Sequence, residues 1–422
     1  MNTRMHRIAS NLLLAGCAAA IALCAAADAS AQVPANCREG ELNGAQWRVC
    51  VPQEPIQWNH DVVVYAHGYV SPTLPVALPD DELGELPVQD IVLSMGYAYA
   101  TTSYRANGLV VPQAVEDLAD LVREEIRNSR EFRFDRVFLV GVSEGGLIAT
   151  LALEKYPDLF TGGLSACGPI GDFRRQINYF GDFLVVFNYF FPNMLAESPL
   201  LGTPLGIPRS TMENWESKFV PAILAALEQN PSATRQLLRV TRVPLDPADP
   251  ESVQETILGI LWYCVFSTNN AIEVLGGRAV QIGQPGQPGQ AFDNTRKWYS
   301  GSDNDFKMNV LIQRVAASSA ALARIEAGYQ ASGRITRPLI TIHTTGDPVV
   351  PFWHQITYGW KAIQSASASL HLGIPVFRYG HVNLTLHELK AAFSAMVFAA
   401  DAQNLFMQIV PTLRILITDY SF

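Results

Sequence analysis

Apolar residues follow one pattern before residue 171, lose it, and recover it after residue 336. The run Asp61-Val62-Val63-Val64-Tyr65-Ala66 is almost continuously apolar. It predicts a strand buried on both faces, as parallel sheets require. Similar short runs at 96–103, 136–140 and 161–166 predict three more strands. Between them, Val115, Leu118, Leu121, Val122 and Ile126 recur at helical spacing with acids in between, which predicts a helix over 111–128. Residues 144–155 predict a second helix. Strand and helix in alternation point to βαβ units and a parallel sheet.

From 172 to 336 the chain turns helical and irregular, with no strong strand signal. It includes Gly283-Gln284-Pro285-Gly286-Gln287-Pro288-Gly289, which suits neither helix nor strand. At Pro338 the earlier rhythm returns, with strands at 339–343 and 376–379 and helices near 356–363 and 386–400. The simplest architecture is one α/β domain with a doubly wound, mostly parallel sheet. Residues 32–171 and 337–422 form its two parts, and a helical cap occupies 172–336. An insertion of that length is normally functional, for instance as a lid. Its stretch 179–191 is strongly aromatic. Phe183 and Phe187 there, and Trp353 beyond the insertion, are candidates to line an apolar acyl pocket. The alternative for such a run is plain packing of the cap onto the core. Trp360 faces the same choice.

With 49% hydrophobic and 16% charged residues the chain has ample material for a core. A formal charge of −9 argues against nucleic acid as a partner, which would need a basic face. Residues 1–31 have the form of an export signal. Arg4 and Arg7 precede an Ala-rich apolar stretch, and Ala29-Ser30-Ala31 fits small-residue cleavage before Gln32. Leu14-Ala15-Gly16-Cys17 resembles a lipobox, which would instead anchor the chain in lipid through Cys17. The apolar residues that follow, through Leu23 and Cys24, favour cleavage and a secreted or periplasmic protein. No later window is apolar for long enough to imply stable membrane insertion.

Of six cysteines, Cys37, Cys50, Cys167 and Cys264 lie beyond the signal. Export makes pairing plausible. Asn43-Gly44 is a strong hairpin turn, and folding about it sets 42 opposite 45 and 37 opposite 50. The latter falls on a non-hydrogen-bonded pair with Cα atoms about 4.5 Å apart, within disulfide reach. Cys37–Cys50 is therefore expected. Cys167 and Cys264 are left either to pair by elimination or to remain two buried thiols. No Cys/His cluster has zinc spacing, so neither a metal nor another cofactor is expected.

Gly141-Val142-Ser143-Glu144-Gly145 fits G-x-S-x-G between a strand and a helix, the setting of a nucleophile on a sharp turn. The acid and base should follow in the order Asp, then His. Asp347, in Gly346-Asp347-Pro348, follows the strand at 339–343. His381 follows the strand at 376–379. Ligand sites in such folds lie at the carboxyl ends of strands. His60, His343, His354, His371 and His387 sit in strands, helices or flanks and suit catalysis less well. Two backbone N–H groups should bind the oxyanion: that of Glu144, and that of Tyr69 after His67-Gly68. The Tyr69 phenol is an alternative to its amide. The Glu144 side chain is expected at an exposed helix start, where it would favour the dipole, although it could also hold a substrate amine.

Together, His67-Gly68 after a strand, the Ser143 motif, Gly346-Asp347-Pro348 and Gly380-His381 resemble the α/β-hydrolase superfamily. The likeness covers 60–170 and 336–400 and is most similar to secreted, lid-bearing lipases and carboxylesterases. Val142, rather than Cys, precedes the nucleophile, which departs from tannase-like feruloyl esterases. The resemblance implies hydrolysis of a small or polymeric ester through an acyl-enzyme. Two rivals remain. One is a serine exopeptidase of prolyl-oligopeptidase type, although the first central strand begins too early for an N-terminal propeller. The other is a non-catalytic binding module on the same fold.

Overall fold

A computed structural model describes residues 33–84, 86–195, 209–276 and 291–418. The predicted signal, Cys17 and the Gln-Pro-Gly loop at 283–289 lie outside these residues. Eight strands form the main sheet: β1 (Ala35–Leu42), β2 (Ala45–Pro52), β3 (Val62–Ala66), β6 (Ala98–Thr102), β7 (Val137–Val142), β8 (Gly162–Ala166), β9 (Leu339–Gly346) and β10 (His371–Tyr379). Two short strands, β4 (Glu82–Leu83) and β5 (Leu86–Pro87), pair apart from it.

Their spatial order is β1-β2-β6-β3-β7-β8-β9-β10. From β6 to β10 every neighbouring pair is parallel. β1 and β2 join antiparallel at one edge. The chain passes from β3 to β6 on one side and then to β7 on the other. It therefore reverses direction across β3, and such a reversal opens a crevice at the strand ends.

The hairpin has the expected register, with Cys37 opposite Cys50 and Leu42 opposite Ala45. The disulfide is formed, with Cα atoms 4.0 Å apart. Cys167 and Cys264 are separate, buried thiols. Sequence pattern did not show that the hairpin extends the sheet through β2 and β6. It also missed the helix Val88–Ser94, the start of β10 at His371, and the continuation of the last helix to Thr418. The β10 pattern was hard to read because this edge strand is covered unevenly and carries exposed Leu372 and Phe377.

Alternate residues of the central strands face opposite layers. Val62, Val64, Ala66 and Leu139 join one core with Val115 and Leu118 of the helix Val111–Asp120 and Leu147 and Leu153 of the helix Glu144–Lys155. Phe138 points the other way, towards Phe393 of the last helix, at 5.9 Å between ring centroids.

Between β8 and β9 the described elements are all helical. This segment has an apolar core of its own, which includes Phe183, Phe187, Trp215, Ile260 and Met308. The aromatic run at 179–191 mainly fills that interior. Asp172 caps its helix, Phe173–Phe190, by accepting from the Arg175 N–H at 3.1 Å.

Candidate active site

β7 leads straight into Ser143, whose backbone adopts φ 56° and ψ −125° before the helix Glu144–Lys155 begins. This is a sparsely populated conformation held by its surroundings. The Ser143 N–H donates to Ala166 O at 2.9 Å, and its carbonyl accepts from Gly146 N at 2.9 Å. The flanking glycines are required by close approach. A Cβ at Gly141 would lie 2.0 Å from Gly145 O, and one at Gly145 would lie 2.0 Å from Ala66 O. Any side chain at either position would push the helix off β3 and β7.

Asp347 stands in the loop after β9 and is fully buried. Its two oxygens do different work. Oδ1 accepts from the Val349 and Val350 N–H groups, each at 2.9 Å. Oδ2 accepts from His381 Nδ1 at 2.7 Å. The Asx turn before Pro348 thus coexists with the bond to histidine. Burial pushes this carboxyl's pKa up, but the nearby charge of His381 and contacts from His343 and His381 outweigh it and hold the group below its ordinary value. His381 follows β10, and its loop is tied to β9 by Gly380 N to Gly346 O at 3.1 Å and Thr344 Oγ1 to Gly380 O at 2.6 Å. Its Nε2 lies 2.8 Å from Ser143 Oγ. Residues 143, 347 and 381, far apart in sequence, are therefore joined in one hydrogen-bonded line.

The loop after β3 lies against this line. A Cβ on Gly68 would sit 3.4 Å from Ser143 Cβ. The next residue, Tyr69, has an N–H that donates to no protein group among the described residues. The Glu144 N–H, at the first helical position, has no intrahelical acceptor. The Tyr69 phenol is engaged elsewhere, donating to Phe266 O at 3.2 Å. That leaves its amide as the oxyanion candidate.

Several expectations need correction. The Glu144 side chain is not exposed at the helix start. It is only 6% exposed, because Gly145 lets the helix press onto β3 and carries residue 144 inward. Phe187 lines neither described cavity. It is fully buried and stacks on Phe191 at 5.1 Å, so it serves as packing within the inserted segment. Phe183 and Trp353 do line a cavity of about 540 Å³, together with Arg175, Tyr179 and Phe352. That cavity adjoins the acid loop, and neither Ser143 nor His381 lines it.

The competing histidines are accounted for. His343 Nε2 donates to Val350 O at 2.7 Å, inside the acid loop. His354 accepts from Gly171 N at 3.0 Å and donates to Gln176 Oε1 at 2.8 Å, and burial keeps it neutral. Burial lowers His371 to about 4. His60 and His387 are exposed. Cys167, His343 and Asp347 have possible ligand atoms within 4.8 Å of one another. However, the His343 and Asp347 atoms are engaged as above, and burial pushes the Cys167 thiol up to about 12. This donor set suits loop packing better than a cation.

Sequence pattern missed the braces from the inserted segment. Tyr179 donates to Pro348 O at 2.6 Å, and Gln176 Nε2 donates to Val349 O at 2.8 Å. These residues lie on a helix whose aromatic character was plain, but nothing local marked which side chains reach the acid loop.

The strand order, the reversal across β3 and the sharp turn at Ser143 decide the architecture. The chain has an α/β-hydrolase fold. No family model and no curated protein matches the sequence. Among solved structures it is similar to brefeldin A esterase, a bacterial homologue of human hormone sensitive lipase, at 12% identity over 92% of this chain and 81% of that one, with a TM-score of 0.42. It is similar to feruloyl esterase B from Aspergillus oryzae at 12% identity over 83% and 73% of the two chains, TM-score 0.42. It is also similar to Pyrococcus horikoshii acylaminoacyl peptidase at 12% identity, TM-score 0.38, over 89% of this chain but only 41% of that one. The hydrolase fold described here thus spans about four-tenths of that peptidase's length. No helix among the described residues is long and apolar enough to cross a membrane.

Proposed function

We propose that this chain is an exported serine hydrolase that cleaves carboxylic esters with apolar or aromatic acyl groups through Ser143, His381 and Asp347. One observation carries the reading: His381 Nε2 at 2.8 Å from Ser143 Oγ, with Asp347 Oδ2 at 2.7 Å behind the ring. The carboxylate accepts from Nδ1–H, which leaves the Nε2 lone pair facing the hydroxyl. His381 takes the Ser143 proton as Oγ attacks the acyl carbon, and Asp347 stabilises the resulting imidazolium. The Tyr69 and Glu144 N–H groups hold the oxyanion; each such donor is typically worth roughly 3 kcal/mol. His381 then protonates the departing alcohol, and water releases the acyl group by the same steps in reverse roles.

The segment at 172–336 acts as the cap in this reading, with Tyr179 and Gln176 keeping the acid loop in place. The Cys37–Cys50 disulfide supports an oxidising compartment. A binding module would have no use for so close a serine–histidine contact. One observation favours the exopeptidase reading instead: the buried Glu144 carboxyl beside the nucleophile. The test is a panel of nitrophenyl esters of varied chain length beside peptide anilides, with fluorophosphonate labelling and Ser143→Ala as control. Ester turnover and labelling that both vanish in the variant are expected. Anilide cleavage without ester turnover would shift the reading to a peptidase, and a folded protein that resists labelling would remove both.

A further inference from the structure

Two aromatic side chains hold the loop that carries the Tyr69 N–H. β3 and β6 run parallel side by side, so the residues that follow them, His67 and Tyr104, meet at one rim of the sheet. Tyr104 has a left-handed backbone, φ 54°, which a bulky aromatic residue rarely adopts. Its ring is 2% exposed and stacks on the His67 imidazole, with 4.0 Å between centroids and 24° between planes. Its hydroxyl donates to His67 O at 3.2 Å. The turn is pinned on both sides: the Tyr104 N–H donates to Thr102 Oγ1 at 3.2 Å, and the Arg105 N–H donates to Asp117 Oδ2 at 2.9 Å.

His67 Nδ1 lies 2.8 Å from Gly68 O. A carbonyl oxygen can only accept, so Nδ1 carries the proton. His67 Nε2 is buried and has no partner among the described residues, which suits a bare lone pair better than a second donor. The Gly68 carbonyl and the Tyr69 N–H belong to one peptide unit, and a trans unit points them in opposite directions. Holding the carbonyl towards the His67 ring therefore turns the Tyr69 N–H to the other side, where it meets no protein acceptor among the described residues. Tyr104 holds the preceding peptide unit through His67 O. One stacked pair thus fixes two successive peptide planes around Gly68, where a Cβ would lie 3.4 Å from Ser143 Cβ.

We propose that Tyr104 is a positioning residue for the oxyanion site: its ring and hydroxyl hold His67, and the His67 Nδ1–H in turn aims the Tyr69 N–H at the developing oxyanion. This rests on the serine-hydrolase reading and adds a residue after β6, a strand that otherwise carries none of the proposed site. Without the pair, a loop containing glycine is free to rotate the 68–69 peptide, and a misdirected N–H stabilises little.

The test compares nitrophenyl esters with the matching thionoesters, whose sulfur is a poor hydrogen-bond acceptor. The readout is the ratio of the two kcat/KM values, in which effects on Ser143 and His381 cancel. His67→Leu should lower kcat for the oxygen ester roughly a hundredfold with KM nearly unchanged, and the ratio should fall with it. His67→Asn, whose side-chain N–H can take the place of Nδ1–H, should recover most of the loss. Tyr104→Leu should lower the ratio roughly tenfold, and Tyr104→Phe, which keeps the stack, by less. In wild type, nitrogen NMR of labelled imidazoles, with His67 assigned by its absence from the His67→Asn spectrum, should show the neutral Nδ1–H form. A fall in both rates at constant ratio, a wild-type ratio in His67→Leu or Tyr104→Leu, or an Nε2–H tautomer at His67 would overturn the positioning role while ester turnover stands. Absent turnover with no labelling of Ser143 in wild type would instead overturn the reading beneath it.

Discussion

The sheet and the inserted segment each have an apolar core, but they use it differently. In the sheet, the core fixes where strands end, and the residues of the proposed site stand on those ends: His67 and Gly68 after β3, Ser143 after β7, Asp347 after β9 and His381 after β10. In the inserted segment, the aromatic residues pack chiefly on one another. Among the described residues it reaches the acid loop through a few side chains, such as Tyr179 on Pro348 O and Gln176 on Val349 O. Here a conspicuous aromatic run marks a second core rather than a substrate pocket. The residues that approach the reacting groups are the few that leave that core.

Catalysis and stability can therefore be separated by mutation. Ser143→Ala should lower kcat by about 10⁴-fold or more, because the three residues act as a unit, with circular dichroism and melting nearly unchanged. Large destabilisation by this variant would mean that the strained turn is needed for folding, and the division would fail. Phe187→Ala should do the opposite. It removes a fully buried ring from the inserted segment and should cost about 3–5 kcal/mol in urea unfolding. The protein that remains folded should keep normal fluorophosphonate labelling. Selective loss of labelling would instead put Phe187 back in the site.

Glu144 belongs to neither group and gives a pH test. Its carboxyl keeps its proton up to about 8 in the folded protein, against an ordinary value of 4.5. Stability from this residue is complete below 4.5, falls as pH rises through 8, and then levels off, by on the order of a few kcal/mol. Glu144→Gln should flatten that part of the stability curve; a slope equal to wild type would show that the carboxyl ionises freely. The smallest effect should come from the sheet edge. Cys37→Ala with Cys50→Ala opens a link with a sequence separation of 13 and should cost about 2–3 kcal/mol, leaving ester turnover by the folded protein unchanged. A changed turnover would extend the site to the hairpin.

The strands that carry the site were the most legible part of the chain. β3, β7, β8 and most of β9 are buried on both faces, which favours runs of mainly apolar residues. β10 was read only in its last residues, because an edge strand alternates and tolerates exposed Phe377. Ser143, Asp347 and His381 stood out because each follows a strand in a loop with glycine beside it. Phe187 misled because an aromatic on an amphipathic helix has the same pattern whether it meets a ligand or another ring. Glu144 misled for a related reason: a charged residue at a helix start is exposed in most settings, and only the press of Gly145 against Ala66 turns it inward.

By itself the sequence determined the order of elements, the hairpin with its cysteine register, and the loops that carry Ser143, Asp347 and His381. These depend on local periodicity and turn chemistry, which act between near neighbours in the chain. Only the tertiary structure decided that a serine and a histidine meet at 2.8 Å, that Phe187 packs inside a second core, and that the Glu144 carboxyl is shut in beside Ser143. Each of those depends on what distant segments press against, and no local pattern encodes that.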